Sequence, residues 1–446
     1  MKKIFQFSFY FFLIVFFAGK TYSQEKSFDD LLKQGNAQNT ARQFAEAQKS
    51  YTQAIILQPN NPLAFFGRGY AKANLKDHLG AIMDYDKAIE LNPRYASAYL
   101  NRGQSKTKQE NHKGALEDYN RSIDLNPADA NAYYVRSLGK NKLENYKGAL
   151  SDLDKSLGIA QDNAQAYAAR GWIKIKLDDF KGSIEDFAKS IEISPTKGET
   201  YAGRAYSLMK LADYKNAIVD FTKAIEKSPE DAESYSKRGF CKNQLEDYVG
   251  SIADFEKALS LDFENASAFY GRGFARAKLG NVKGAIEDYT KAVTIGNLET
   301  DKVVFSGNIT KQKLDDLRNG VQENIKMTEI SAERFEVYYN RALAKVRVGE
   351  GKSAIEDYNK AIALNPVYHQ AYFARGLAKS SINDQRGAIL DCTNALKLNP
   401  KYAEAYFIRG IIRHALGDFT GGYADISKSG ELGYNPAYGV IQDYCN

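Results

Sequence analysis

An arginine recurs every 34 residues along this chain: Arg68, Arg102, Arg136, Arg170, Arg204, Arg238 and Arg272, then, after one gap, Arg341, Arg375 and Arg409. Three residues before each stands an aromatic, from Phe65 to Tyr406, and one residue after it a small side chain, usually Gly. A fixed period of this length means a stack of like units, each too small to bury its apolar face alone. The 446 residues would otherwise point to about three domains at ~150 residues each. The period replaces that expectation with one array whose units touch mainly their neighbours.

Each unit holds two helical patterns. The first runs from about two residues before the aromatic to a Leu, as from Tyr167 to Leu177. The second follows an Asp or Asn (Asp77, Asn111, Asn145, Asp179, Asp213, Asp247), whose side chain can accept from the open N–H groups of a helix start. In that second helix a small residue, an aromatic four later and a small residue three further on share one face, as in Ala81, Tyr85 and Ala88. Asn-Pro often closes the unit, at Pro93, Pro127, Pro366 and Pro400, where proline stops the helix.

This pattern resembles the tetratricopeptide repeat: an aromatic, Leu-Gly, Tyr, Ala, an aromatic, Ala and Pro spread over 34 residues. The frame places eleven units, at 28–61, 62–95, 96–129, 130–163, 164–197, 198–231, 232–265, 266–299, 335–368, 369–402 and 403–436. The resemblance implies an all-α fold, a right-handed α-solenoid of about eleven helix-turn-helix repeats. One departure is systematic: Arg stands at position 7, where the family has Leu.

That Arg has a partner signal inside the chain. Position 23 is Asp in the same ten units that carry Arg, giving pairs such as Arg170 with Asp186 and Arg204 with Asp220. The first unit lacks both, having Gln34 and Ser50. Joint presence and joint absence predict structural ion pairs bridging the two helices of a hairpin. The basic residues at position 11, such as Lys72, Lys106 and Lys174, read as stems on aromatics with their heads in water.

In the family resembled, first helices line a concave groove, with positions 2, 5, 9, 12 and 13 facing it. Positions 5 and 9 here give an aromatic-rich wall, and the residues expected to contact a partner are Phe66, Tyr70, Tyr134, Trp172, Tyr206, Phe240, Tyr270, Phe274, Tyr339 and Phe373. Position 13 adds a basic edge of Lys108, Lys142, Lys176 and Lys210. The Lys and Asn that some family members use at positions 5 and 9 to grip a C-terminal carboxylate are missing from units two to eleven. An extended or helical peptide with apolar anchors and some acidic residues fits better.

Residues 300–334 interrupt the frame: Gly320 and Asn324 stand where the small residue and the aromatic belong. Leu314, Leu317, Val321 and Ile325 keep a helical spacing, so a helix is expected near 311–327, serving either as a spacer or as a lid or docking element. Residues 437–446 are expected to form a C-terminal capping helix, since a solenoid end needs a cover.

Residues 1–23 have the pattern of a secretory signal: Lys2 and Lys3, an apolar run from Ile4 to Ala18, then Thr21 and Ser23 as small residues before a cleavage site. The expectation is export to the periplasm, outer envelope or cell exterior, with membrane association only if the segment stays uncleaved. Its loss lowers the formal charge from +6 to +3, too weak for a nucleic-acid partner.

No catalytic constellation, cofactor motif or metal site is read from the sequence. His78 and His112 take a position filled elsewhere by aromatics, while His369 and His414 lack metal-ligand spacing. Cys241 and Cys392 fall at core positions, Cys445 lies one residue from the end, and no CxxC pair occurs. The recurrent Gly of "RG" and "KGA" is read as close helix approach. The expected function is a non-enzymatic protein- or peptide-binding scaffold of the bacterial envelope. The alternatives are a cell-wall or carbohydrate binder using the same aromatics, and, least supported, an enzyme.

Overall fold

The start of most second helices is written into the sequence as an Asp or Asn cap, and a computed structural model of the chain shows those caps formed. The structure describes residues 26–301 and 334–438. The expected signal segment, the helix near 311–327 and most of the expected capping helix therefore lie outside the described residues. Residues 435–438 are helical, with Ala437 buried.

Among the described residues there are no strands, and the helices follow one another in pairs. They fall in two compact units, 1–195 and 196–446. The first unit holds five hairpins: α1 (Phe28–Thr40) with α2 (Phe44–Leu57), α3 (Pro62–Asn74) with α4 (His78–Leu91), α5 (Ala96–Lys108) with α6 (His112–Leu125), α7 (Ala130–Lys142) with α8 (Tyr146–Ile159), and α9 (Ala164–Lys176) with α10 (Phe180–Ile193). The second holds six: α11 (Gly198–Lys210) with α12 (Tyr214–Lys227), α13 (Ala232–Gln244) with α14 (Tyr248–Leu261), α15 (Ala266–Lys278) with α16 (Val282–Asp301), α17 (Arg334–Arg347) with α18 (Gly351–Leu364), α19 (His369–Ser381) with α20 (Gln385–Leu398), and α21 (Ala403–Ala415) with α22 (Phe419–Glu431). Within each unit, every second helix also packs on the first helix that follows it.

The caps explain the short turns. Asp77 accepts from the Gly80 N–H, Asn111 from Gly114, Asn145 from Gly148, Asp179 from Gly182 and Asp247 from Gly250. This corrects the reading of the "KGA" glycines as points of helix approach. A Cβ added at Gly148 would lie 2.8 Å from the capping side chain of Asn145, so these glycines make room for the cap. Unit six shows that the room can be found otherwise, because Asn216 takes the same place and its side chain bonds Asp213. The turn just before each cap needs a residue with positive φ, as at Lys76 (67°) and Glu110 (59°); Gly280, Gly349 and Gly417 supply it in other hairpins.

The "RG" glycines do serve close approach. The face of each second helix carries one large, fully buried side chain: Tyr51, Tyr85, Tyr119, Leu153 and Phe187 in the first unit, Phe221, Phe255, Tyr289 and Tyr358 in the second. A Cβ on Gly103 would sit 2.6 Å from Cε1 of Tyr119. Cys392 and Ile426 fill this ring position in the last two hairpins, both fully buried.

Every one of the ten Arg residues binds the Asp sixteen residues on. In α9 and α10, Arg170 Nη2 donates to Asp186 Oδ1 at 2.6 Å and Nε to Oδ2 at 3.0 Å. Arg204 donates to Asp220 through Nε at 2.6 Å and Nη2 at 2.8 Å. The Asp side chains are almost wholly buried while the Arg side chains keep a small exposed fraction.

Position 11 corrects the expectation of solvated heads. Lys72, Lys106, Lys140, Lys174, Lys242, Lys345 and Lys379 each place Nζ within 2.7–2.9 Å of the same Asp, and Arg276 and Arg413 do so with Nη1. Each buried carboxylate thus faces two cations, which offsets its desolvation better than one could. Unit six is the exception, with Leu208 at that position. In unit one the same two places hold a neutral bond, Ser50 Oγ donating to Gln38 Oε1 at 2.8 Å.

The guanidinium has two further neighbours. In nine of the ten it lies over the aromatic three residues before it, as Arg170 over Tyr167 at 5.4 Å. Its Nη1 reaches back to the preceding hairpin: Arg102 to Asp86, Arg136 to Asn120, Arg170 to Asp154, Arg238 to Thr222 and Arg409 to Thr393. One side chain therefore ties the two helices of its hairpin and the hairpin before. Arg341 makes the same bond to Thr290, so α17 docks on α16 as an ordinary next repeat although residues 302–333 intervene in sequence.

Candidate functional site

Helical geometry puts positions 5, 9 and 13 of a first helix on one face, a turn apart. The structure separates the residues on that face into two groups.

Position 5 is mostly consumed in packing. Phe66 lies against Tyr85 and Tyr95, with ring centroids 5.9 and 4.9 Å away. Tyr339 meets Tyr358 and Tyr368, and Phe373 meets Tyr402 at 4.9 Å. Tyr95, Tyr368 and Tyr402 are the N-cap residues of α5, α19 and α21, which have no side-chain cap bond. Where the cap is Asp129, Asn163, Asp231 or Asn265, the side chain accepts from the helix N–H groups. The position 5 residues before those caps are Leu100, Tyr134, Ala202 and Ser236. The aromatic pairs thus hold the starts of three first helices that lack a side-chain cap, a packing role missed in the sequence although the pairing of Phe66 with Tyr95, Tyr339 with Tyr368 and Phe373 with Tyr402 was there to find. Tyr134 is half-buried against the Leu153–Ile173 cluster. Tyr270 packs on Tyr289 and accepts from Asn340 Nδ2 at 2.9 Å. Burial, with Glu336 adding, holds its phenol far above the ordinary value.

Position 9 keeps more surface. Trp172 is 41 % exposed, with its other edge against Phe187 at 5.3 Å. Tyr70 and Leu138 are each 39 % exposed. Tyr70, Phe240 and Phe274 rest edge-on against Phe44, Tyr214 and Tyr248 of the preceding hairpin. Tyr206 departs from the expected contact row: it is buried, with the ammonium groups of Lys237 at 4.8 Å and Lys210 at 5.2 Å over its ring.

The basic edge is likewise uneven. Lys108, Lys142 and Lys176 end α5, α7 and α9 and are exposed, whereas Lys210 is half-buried against Tyr206. All ten Arg residues at position 7 are engaged by Asp and do not form a free row.

Burial raises the Cys241 and Cys392 thiols to about 12. His369 is lowered by partial burial, and its Nε2 lies 2.8 Å from Asn399 Nδ2. Among the described residues no group of three His, Cys, Asp or Glu side chains is placed to hold a metal ion. No described helix is long and apolar enough to cross a membrane.

Comparisons with known proteins bear on the fold. One tetratricopeptide-repeat family model matches residues 32–96 and 80–130, and a second matches 164–197, 198–231 and 335–368. The last three segments coincide with units five, six and nine of the sequence frame. No curated protein matches the chain by sequence. Among solved structures, a tetratricopeptide-repeat protein from Parabacteroides merdae is 23 % identical over 56 % of this chain and 98 % of its own, with a TM-score of 0.41. The C-terminal part of a repeat-containing protein from Cytophaga hutchinsonii is 17 % identical over 54 % of this chain and 98 % of its own, at 0.45. YrrB, a repeat protein with an unusual peptide-binding site, is 24 % identical over 40 % of this chain and 93 % of its own, at 0.37. The family models place tetratricopeptide repeats at 32–130, 164–231 and 335–368, and the 34-residue frame with its paired helices continues the same repeat fold through the other described units.

Proposed function

We propose that this chain is a non-enzymatic scaffold that holds a protein or peptide segment against its first-helix faces, and that it works in the bacterial cell envelope. One observation carries the first half. The charged groups recurring in ten of the eleven units close on one another inside the hairpins, while position 9 leaves large apolar surface, Trp172 above all, open on the first helices. Surface of that kind gains free energy by covering a partner's apolar side chains, and a few central aromatics commonly dominate such binding. The envelope location rests on the sequence alone: Lys2 and Lys3, the apolar run Ile4–Ala18, and the small residues Thr21 and Ser23.

The test uses the only tryptophan as its own reporter. Peptides selected from a random displayed library against the full chain should shift Trp172 emission on binding. Trp172→Ala should weaken them about thirtyfold, ~2 kcal/mol, with helical content unchanged. Selected peptides that bind the variant as tightly would move the site off this face. Export is checked by fractionating cells that express the chain; recovery in the cytosol with residues 1–23 retained would refute the location.

A further inference from the structure

The first-helix face of the first compact unit carries a charge pattern that names a chemical class of partner. We infer, resting on the scaffold reading above, that this face binds an extended acidic segment with a carboxylate at about every third residue.

Two basic residues stand in the last turn of each of α5, α7 and α9, and they differ in fate. Lys106, Lys140 and Lys174 are spent on buried Asp residues. Lys108, Lys142 and Lys176 are exposed and have neither an ion-pair nor a hydrogen-bond partner among the described residues. Glu110, Glu144 and Asp178 follow two residues later in the turns, yet none pairs with these lysines. One helical turn before each free Lys lies position 9: Gln104, Leu138 and Trp172. Three ammonium groups thus run parallel to a row that ends in two exposed apolar side chains.

The spacing selects the conformation of the occupant. Neighbouring helices of a packed layer stand on the order of 10 Å apart. An extended chain in the polyproline II conformation advances about 3.1 Å per residue with three residues per turn, so every third side chain returns to the same face about one repeat further on. A helical partner rises about 1.5 Å per residue and would need six or seven. An extended peptide of the form acidic–apolar–small, repeated, sets its carboxylates on the lysines and its apolar side chains on Leu138 and Trp172. The alternative role for these lysines is to complement the carbonyl end of each helix, which needs no ligand.

The probe is a peptide of four Glu-Leu-Ser triplets, titrated into the full chain while Trp172 emission is followed. Saturable binding is expected, weakening at least tenfold in Lys108→Gln/Lys142→Gln/Lys176→Gln. The matching Arg triple should bind as the wild type does, with circular dichroism showing both variants folded. Raising NaCl from 50 to 500 mM should weaken binding comparably, since salt screens exposed charges. The inference is overturned if a Lys-Leu-Ser peptide binds as well, if the Gln triple binds unchanged, or if no Glu-Leu-Ser binding occurs. Library-selected peptides that need Trp172 but ignore the Gln triple would leave the scaffold reading standing and remove only this one.

Discussion

Asp186 sits between Arg170 and Lys174 with both carboxylate oxygens engaged, and the same arrangement recurs along the chain. The negative charge is out of water and the positive charges keep part of their hydration, so the three members differ in cost of removal. Asp186→Ala leaves two cations facing each other beside a cavity and should lower stability by about 3 kcal/mol, read as a shift in urea midpoint. Lys174→Met keeps the Arg–Asp bond and the aliphatic stem and should cost less than about 1 kcal/mol. The thiols give a second expectation. Cys241 and Cys392 are fully buried, and burial raises both to about 12 from 9.0. A disulfide-exchange reagent at pH 8 should leave both untouched in the native chain and titrate both after denaturation. The unfolded chain releases these protons near 9 while the native one holds them to about 12. Their contribution is thus intact below pH 9 and lost as pH climbs toward 12, which an alkaline unfolding series would show.

At the scale of the helix, the two ways of starting a first helix can be told apart by coupling energies. Phe66 and Tyr95 touch across successive units at a helix start that has no side-chain cap. A double-mutant cycle on Phe66→Ala and Tyr95→Ala should give about 1 kcal/mol of interaction, while Leu100→Ala with Asp129→Ala should be additive. The helices themselves were legible in the sequence because caps, breakers and ring spacing recur in register. So was the Arg–Asp bond, since Gln34 and Ser50 lose both partners together. The third member of that cluster was not legible: a column of lysines has the same pattern whether its heads are solvated or buried. Unit six, with Asp220 kept beside Leu208, even argued against a link. The exposure of the proposed binding face was only half legible. Periodicity places Tyr206 and Trp172 on the same face, but two lysine heads bury the first and the second stays open.

For the whole molecule, stability in a repeat array is set by each unit and its neighbours, so local damage should stay local. Asp425→Ala breaks the cluster of the last hairpin, α21 with α22. Circular dichroism should then show an early, low-amplitude loss of helix in a urea series, ahead of the main transition. Trp172 emission should keep its wild-type midpoint; a shift of both signals together would mean the array unfolds as one block. The bond from Arg341 to Thr290 bears on how such a chain can grow. The stack resumes in register across a stretch of sequence as long as a repeat, so register is held by side chains and not by chain connectivity. The entropy of closing a loop rises only with the logarithm of its length, about 0.6 kcal/mol for each doubling. The junction between Asp301 and Arg334 is therefore a place where new sequence enters at little thermodynamic penalty, and where a whole foreign domain with adjacent termini could be grafted without unstacking what lies on either side.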